Sequence, residues 1–429
     1  MTPRALRIFL TYLGVLASAA LKCLSPFNTL LTTEMSESRR RSFISHGRSA
    51  VLHAIKNPTM RCRRLTSIFL YSFLACPAQS QNSAHTRPTP AVGGLIAARA
   101  MTSARAGHTA TVLPDFRVLI VGGKQERGLV LATSEIYDPT TETFSPTGRM
   151  SGPREGHVAA VLSDGKVLIA GGLTRGGVPL ASCEDYDSET GRFTIRGNMH
   201  SRRAGMAATV LRDGRILVTG GEDGSQVLDS AETYDVLTGK WTVAPKMTTP
   251  RANHSATLLS DGRVLITGGT GDHHSVLASA EIYDPKIGKF AATASLHDAR
   301  SRHTAALLAN GRVLIAGGAD ATTRGTALSS AEIYDPQAGV FVPTGKLAEP
   351  RFKLPDSTAL LDGRVLIVGG AASAEIYDPK TGSFATISGR LDAARYYPAT
   401  IQLMDGTTRI FGGYDSLGVS TAKTWIYRP

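Results

Sequence analysis

Histidines recur at one position of a repeated pattern, and imidazole nitrogens gathered around a point can hold a transition metal. His108, His157, His254 and His303 each stand three residues after an arginine. The equivalent positions elsewhere hold Met206, Leu354 and Pro398. Since the position accepts apolar residues, we interpret the histidines as packed side chains with a satisfied ring nitrogen. A second cluster, Asp272-His273-His274, lies in the predicted loop after the fourth Gly-Gly pair without a nearby fixed partner, so the sequence predicts no metal site and no cofactor.

The arginines are as regular as the histidines. Each precedes a Gly-Gly pair by 17 residues, or 18 for Arg351; they are Arg105, Arg154, Arg203, Arg251, Arg300, Arg351 and Arg395. A glutamate stands two residues before a repeated tyrosine in six units, at Glu135, Glu184, Glu232, Glu281, Glu332 and Glu375. A buried carboxylate needs a cation, so we predict structural Arg–Glu pairs that brace neighbouring units. Trp425 replaces the last glutamate, which predicts Arg395 to be the unpaired arginine.

Seven repeated units must position these side chains. The Gly-Gly pairs begin at residues 122, 171, 220, 268, 317, 369 and 412. Each unit reads as four short strands, among them a fully apolar one such as "RVLIVGG" and one ending in "YDP". Strands this short bury both faces only if neighbouring sheets stack, so units of about 50 residues predict an all-β, seven-bladed β-propeller.

The two ends of the repeat array predict how the ring closes. The chain stops at "TWIYRP", after the third strand of the last unit, while "GLIAARAM" at residues 94–101 has the register of a fourth strand. We predict that this N-terminal strand completes the last blade, which removes a pair of exposed sheet edges.

These residues resemble the kelch repeat. The resemblance rests on the double glycine after an apolar strand, on "YDP" about fifteen residues later, and on the Met-x-x-x-Arg junction, and it covers roughly residues 91–429. It implies the propeller fold but leaves activity open, because kelch proteins include adaptors, oxidases and sugar-acid epimerases. In similar adaptors the arginines face a binding mouth, which would place Arg105, Arg154, Arg203, Arg251 and Arg300 around the channel mouth and favour acidic partners.

Charge and hydropathy predict an export leader. Residues 1–80 hold 11 of the 47 Lys/Arg and 2 of the 35 Asp/Glu; the remainder carries 36 basic and 33 acidic residues, a nearly neutral balance that argues against nucleic-acid binding. The apolar runs at 8–21 and 65–75 are too short for a comfortable membrane span, so we predict a signal peptide within residues 1–80, starting at Met1 or Met60, and a linker at 81–90. Lipid anchoring at Cys76 stays open, and cleavage near residue 80 would leave Cys183 as the single cysteine.

Unit six departs most from the pattern and supplies the candidate ligand site. Its loop after the Gly-Gly pair is nearly deleted, which predicts a notch lined by Arg351, Lys353, Arg395, Tyr396 and Tyr397, with both tyrosines exposed. A neutral loop deletion is the alternative. We therefore expect a secreted, periplasmic or cell-envelope scaffold that binds a protein or glycan through the loops at one propeller face. The alternative is a carbohydrate-active enzyme, a sugar epimerase or a galactose-oxidase-like protein using the channel.

Overall fold

A computed structural model describes residues 93–320, 326–354 and 358–429 of the chain. In these residues the strands form seven antiparallel sheets of four strands each. These residues belong to a compact unit spanning Pro88–Pro429. The predicted leader, the linker, the two start sites and Cys76 lie outside the described residues, so all of them stay predictions. No helix among the described residues is long and apolar enough to cross a membrane.

The sheets follow one another in chain order and are numbered here as blades. Blade 1 contains β2 (Thr109–Val112), β3 (Val118–Val121), β4 (Thr133–Asp138) and β5 (Thr143–Arg149); blade 2 contains β6 (Val158–Val161), β7 (Val167–Ala170), β8 (Cys183–Asp187) and β9 (Arg192–Arg196); blade 3 contains β10 (Ala207–Val210), β11 (Ile216–Thr219), β12 (Ala231–Asp235) and β13 (Lys240–Ala244); blade 4 contains β14 (Ser255–Leu258), β15 (Val264–Thr267), β16 (Ala280–Asp284) and β17 (Lys289–Ala292). Blade 5 contains β18 (Thr304–Leu307), β19 (Val313–Ala316), β20 (Ala331–Asp335) and β21 (Val340–Pro343); blade 6 contains β22 (Thr358–Ala359), β23 (Val365–Ile367), β24 (Glu375–Asp378) and β25 (Ser383–Thr386); blade 7 contains β26 (Ala399–Gln402), β27 (Thr408–Phe411), β28 (Thr424–Arg428) and β1 (Gly94–Ala98). Single 3₁₀ turns occur at Glu126–Gly128 and Asp272–His274.

The core lies between blades, which confirms that neighbouring sheets stack. The second strand of blade 1, β3, is buried at every position. Its Leu119 and Val121 pack in one cluster with Val167 and Ile169 of blade 2. A strand covered on both faces explains why the apolar run shows no alternation in the sequence.

The ring is closed by the N-terminal strand, as predicted. β1 pairs antiparallel with β28, and Leu95 lies opposite Tyr427. Across the junction between blades 7 and 1, Arg409 donates to Glu142 at 2.8 Å and lies over the ring of Tyr137. The protein is therefore an all-β, seven-bladed propeller whose last blade draws on both ends of the repeat array.

The double glycine is required where one blade meets the next. Gly122 and Gly123 have φ values of 62° and 92°, in the left-handed region that glycine adopts without strain. A Cβ on Gly122 would lie 2.5 Å from the carbonyl oxygen of Arg154, and one on Gly123 would lie 2.9 Å from that of Ala106. The repeated Gly-Gly pair thus lets two blade-entry segments pass directly against the end of the second strand.

Candidate binding site at the channel mouth

Six repeated arginines are buried clamps between blades. The backbone N–H of Arg154 donates to Leu131 of blade 1 at 3.1 Å, while its guanidinium donates to the Gly171 and Ser182 carbonyls of blade 2 at 3.0 and 2.9 Å. The same guanidinium lies 3.0 Å from Glu184. The equivalent pairs are Arg105–Glu135, Arg203–Glu232, Arg251–Glu281, Arg300–Glu332 and Arg351–Glu375.

The predicted Arg–Glu pairing is therefore confirmed, and the five arginines predicted to ring the channel mouth are buried inside their blades. Burial lowers the pKa of Arg105, Arg154, Arg203, Arg251 and Arg300, and the paired glutamates offset part of that shift. Because each guanidinium is enclosed by carbonyl and carboxylate oxygens of its own blade, it has no open side to offer a ligand. Arg351 is also fully buried, so it does not line a notch.

Arg395 is not unpaired either. It donates to Asp392 through Nε at 2.9 Å and through Nη2 at 2.7 Å, and Lys423 lies 2.9 Å from the same carboxylate. Trp425, in the position of the glutamate, is buried in the core. A local aspartate three residues upstream thus replaces the cross-strand glutamate of the other blades.

The residue two positions after each arginine forms a collar around the channel mouth, a feature that the sequence analysis missed. All seven collar residues share a left-handed φ between 48° and 62°: Gly107, Gly156, Gly205, Asn253, Arg302, Lys353 and Tyr397. Glycine takes this conformation freely and asparagine tolerates it, whereas other side chains pay roughly 1–2 kcal/mol. Blades 1–3 use the unstrained residue and blades 5–7 do not, so the collar is asymmetric.

Backbone hydrogen bonds link the collar from blade to blade. The N–H of Gly156 donates to the Gly107 carbonyl at 2.8 Å, and that of Gly107 donates to the Tyr397 carbonyl at 3.1 Å. The N–H of Tyr397 in turn donates to Lys353 at 3.0 Å, and that of Arg302 to Asn253 at 3.0 Å. With the bond from Asn253 to Gly205, these contacts form two arcs, one from Gly156 to Lys353 and one from Arg302 to Gly205, that hold the collar backbone in place.

An aromatic cluster surrounds Lys353 beside the collar. The ammonium lies 5.2, 5.7 and 5.4 Å from the ring centroids of Phe352, Tyr396 and Tyr414, and it donates to the Tyr414 hydroxyl at 2.8 Å. Tyr397 packs on Tyr414 with ring centroids 6.0 Å apart. Lys353, Tyr396 and Tyr397 are thus brought together as predicted, but both tyrosines are half-buried, since they pack on this cluster, and the prediction that they are exposed is wrong.

Inside the collar, a cavity of about 630 Å³ follows the channel along the innermost strands. The four repeated histidines line it, and Nε2 of His157, His254 and His303 lies 2.8–3.0 Å from a threonine hydroxyl. His108 is an exception to the prediction of a satisfied ring nitrogen, because neither of its ring nitrogens has a hydrogen-bond partner among the described residues. Burial and the adjacent arginine lower the pKa of His157 to about 3, so the ring is neutral and packed as predicted.

The described residues do not fit a copper site built on a cysteine-linked tyrosine. Among them, no group of three His, Cys, Asp or Glu side chains is arranged to hold a metal. Cys183 is buried between blades 2 and 3 with Leu168 and Met206, which raises its pKa to about 12, and it is not a lining residue of the channel that contains Tyr397. His273 and His274 are exposed in their 3₁₀ turn.

Comparison with known proteins points to one family and one fold. Residues 95–269 match the family model of the KLHDC2/KLHL20/DRC7 kelch-repeats domain. No curated protein matches the chain. Among solved structures, a fungal alcohol oxidase of the AA5 family in complex with copper is similar with a TM-score of 0.63 and 17% identity, over 79% of this chain and 76% of that one. At this identity the likeness concerns the fold alone.

Proposed function

Because this chain is a kelch-repeat protein, we propose that it is an exported scaffold that binds a protein or glycan partner through the loops around its channel mouth. The kelch β-propeller supports a protein-binding role, and the partner class and export are our proposal. The observation that carries it is the asymmetry of this face. Arg302, Lys353 and Tyr397 replace the glycines of blades 1–3 on an otherwise repeated backbone.

On the opposite face of the propeller, one turn type is repeated in five blades. In these turns an aspartate bonds the side chain two residues later, as in Asp115–Arg117, Asp213–Arg215 and Asp362–Arg364. Blades 5 and 7 vary the pattern, since Arg312 pairs with Asp335 and Asp405 bonds Thr407. Scaffolding preserves repeat symmetry, whereas recognition of one partner requires residues that differ between blades.

Two exposed leucines give a matched test of which face binds. Leu417 lies in the blade 7 loop at the mouth and is 85% exposed, while Leu237 lies in a blade 3 turn at the opposite end and is 92% exposed. We expect Leu417→Asp to reduce capture of a crosslinked partner from cell-envelope extract, or binding to a glycan array, by at least fivefold, and Leu237→Asp to leave it unchanged. Equal binding by both variants and the wild type would overturn the assignment of the face.

Export is tested separately by expressing the chain from Met1 and from Met60 and fractionating the cells. A product that has lost its leader and lies outside the cytoplasm supports the proposal. An uncleaved product that stays in the cytoplasm, from either start, contradicts it. The alternative role as a carbohydrate-active enzyme stays a prediction. Among the described residues no constellation for it accompanies the fold.

A further inference from the structure

We infer that the face of the propeller opposite the channel mouth, called the base below, docks on the surface of a lipid bilayer. The base is formed by the turns that join the first strand to the second, and the third to the fourth, in each blade. Exposed apolar side chains at the tips of these turns make the contact, chiefly Phe116, Leu361 and Met404, which form the base patch. The inference goes beyond the proposed function, because it concerns the other face and another kind of partner.

The base patch belongs to three consecutive blades, 6, 7 and 1. Leu361 and Met404 are 76% and 77% exposed in the turns between first and second strand, and Phe116 is half-exposed in the same turn of blade 1. A Cβ on Gly406 would lie 3.7 Å from Cδ1 of Leu361, so this leucine of blade 6 lies against the turn of blade 7. The other blades carry smaller or polar residues at the position of Leu361 and Met404: Pro114, Ser163, Arg212, Ser260 and Ala309. Exposed apolar surface that is contiguous in this way is typical of protein or membrane contacts.

Phe116 occupies a backbone position that favours glycine. Its φ is 68°, in the left-handed region, and the other six blades have glycine at the equivalent residue: 165, 214, 262, 311, 363 and 406. A bulky side chain destabilises a turn of this conformation, and half of the phenylalanine ring stays exposed. The turn therefore gains no stability from the phenylalanine. Strain of this kind concentrates at binding sites, which points to a contact outside the chain.

The exposed apolar side chains of the base are spread around the ring, which favours a bilayer over a compact partner. Leu237 and Ile287 lie exposed at the tips of the turns between third and fourth strand in blades 3 and 4. Together with the base patch they occupy five of the seven blades. A single protein segment would cover one sector of the base, whereas a bilayer surface contacts the tips of all five turns at once.

The charges of the base also fit a bilayer surface. Asp115 and Asp362, beside the base patch, lie 2.6 and 2.7 Å from the arginines two residues later, so covering the patch leaves these carboxylates paired. Exposed lysines, Lys286 and Lys289, flank Ile287. Lysine side chains at the edge of an apolar contact extend toward the water and the headgroup phosphates.

The described structure begins at the base, which places the preceding part of the chain on the same side. Gly94 pairs with Arg428 at the base end of blade 7, the central blade of the base patch. The apolar runs of the predicted export leader, at 8–21 and 65–75, are joined to the propeller through residues 76–92. An extended chain of this length spans at most roughly 60 Å. A leader in contact with a membrane would therefore keep the base near that membrane and leave the channel mouth on the far side.

Single introduced tryptophans test which face meets the bilayer. The two native tryptophans, Trp241 and Trp425, are buried, so a new one reports on its own position. Met404→Trp and Leu237→Trp at the base, and Leu417→Trp at the mouth, are made in the full-length protein. Each is mixed with vesicles of phosphatidylethanolamine and a smaller share of phosphatidylglycerol, with brominated acyl chains. We expect a blue shift and quenching at positions 404 and 237 and neither at 417. Equal responses at 404 and 417, or none at 237, would overturn the inference.

Substitutions in the base patch measure its share of the affinity. Phe116→Gly installs the residue of the other six blades, so urea unfolding should show a stability equal to or above that of the wild type. Its binding to the same vesicles, measured by sedimentation, should weaken on the order of tenfold, as expected for one large apolar side chain left uncovered. Met404→Ser, with the serine of blades 2 and 4, should have a similar effect, and the control Leu417→Ser should have none. Because all variants share the same leader, unchanged binding by Phe116→Gly and Met404→Ser would refute the role of the base patch.

Salt and partner capture separate this inference from its alternatives. Docking through apolar side chains should persist at high ionic strength, whereas release by salt would mean adsorption through lysines alone and would contradict the role of the base patch. Capture of a protein partner should be unchanged in Phe116→Gly. If capture falls and vesicle binding does not, the base is a protein interface and the bilayer is the wrong partner. Leu417→Asp tests the proposed function at the mouth and should leave vesicle binding unchanged, so the two proposals fail independently.

Discussion

Removing the carboxylate of Glu281 should destabilise the propeller by about 3–5 kcal/mol, the usual cost of leaving one partner of a buried ion pair alone. Glu281 and Arg251 are both almost fully buried, with Nη2 2.8 Å from Oε1. The carboxylate also accepts the backbone N–H groups of Thr248 and Thr249 at 2.7 and 3.1 Å. Glu281→Ala therefore strands a guanidinium and two N–H donors at the junction of blades 3 and 4.

A graded series separates the charge from the hydrogen bonds. Glu281→Gln keeps an acceptor but loses the charge, so we expect a smaller cost of about 1–2 kcal/mol. The control is Lys246→Ala, which breaks the surface pair between Lys246 and Asp229, where the lysine is 71% exposed. An exposed pair of this kind contributes at most about 1 kcal/mol.

Urea-induced unfolding, followed by circular dichroism, gives the free energy of unfolding for each variant. The reasoning is refuted if Glu281→Ala falls within about 1 kcal/mol of the wild type, or if it costs no more than Lys246→Ala. Either result would mean that water or another acceptor reaches Arg251, and the clamp would then not be closed.

Two further predictions concern closure and pH. Leu95→Asp places a charge at a buried position opposite Tyr427, so it should lower the free energy of unfolding by about 2–3 kcal/mol in urea unfolding. It should also promote self-association through the freed edge of β28, which light scattering detects. Ile96→Asp, on the exposed side of the same strand, should do neither. The pKa of His157 is about 3 in the folded protein against an ordinary value of 6.5. As the pH falls below 6.5, the unfolded state therefore binds the proton first. The free energy of unfolding then decreases until the pH reaches about 3. Between pH 7.5 and 5 the wild type should lose about 1–2 kcal/mol more than His157→Met, which adopts the residue of blade 3 at that position; equal losses in urea unfolding at the two pH values would contradict the assignment.

The architecture could be predicted because the same pattern of strands, double glycine and Arg–Glu pair recurs along the sequence. Seven copies reveal the strand order, the closure by β1 and the pairing of arginine with glutamate, since two residue types that recur together must occupy neighbouring positions in each blade. The partner of Arg395 escaped this reasoning because Asp392 belongs to one blade alone. Repetition predicts what all blades share and is silent about a local substitution.

The collar was missed for a different reason. A left-handed backbone conformation can be predicted from a sequence only where glycine occupies the position. Gly107, Gly156 and Gly205 were the available signal. They became informative only when the same left-handed φ appeared at Asn253, Arg302, Lys353 and Tyr397. The exposure of Tyr396 and Tyr397 was misjudged because their packing partner, Tyr414, lies beyond the next two strands of the blade.

The collar also shows how side-chain contacts offset backbone strain to different extents at different blades. A left-handed φ costs roughly 1–2 kcal/mol per non-glycine residue, and each strained residue can recover part of that through its side chain. The contacts of Lys353 with Phe352, Tyr396 and Tyr414 offset part of its strain energy. The contacts of Tyr397 with Tyr414 and Arg302 do the same. Arg302 shares the hydrogen bond with Tyr397 but keeps a buried Nε without an acceptor among the described residues, as do the clamp arginines Arg105, Arg154, Arg251 and Arg300. Arg302→Gly, which installs the residue of blades 1–3 at this backbone position, should therefore relieve the left-handed strain and leave the collar backbone intact.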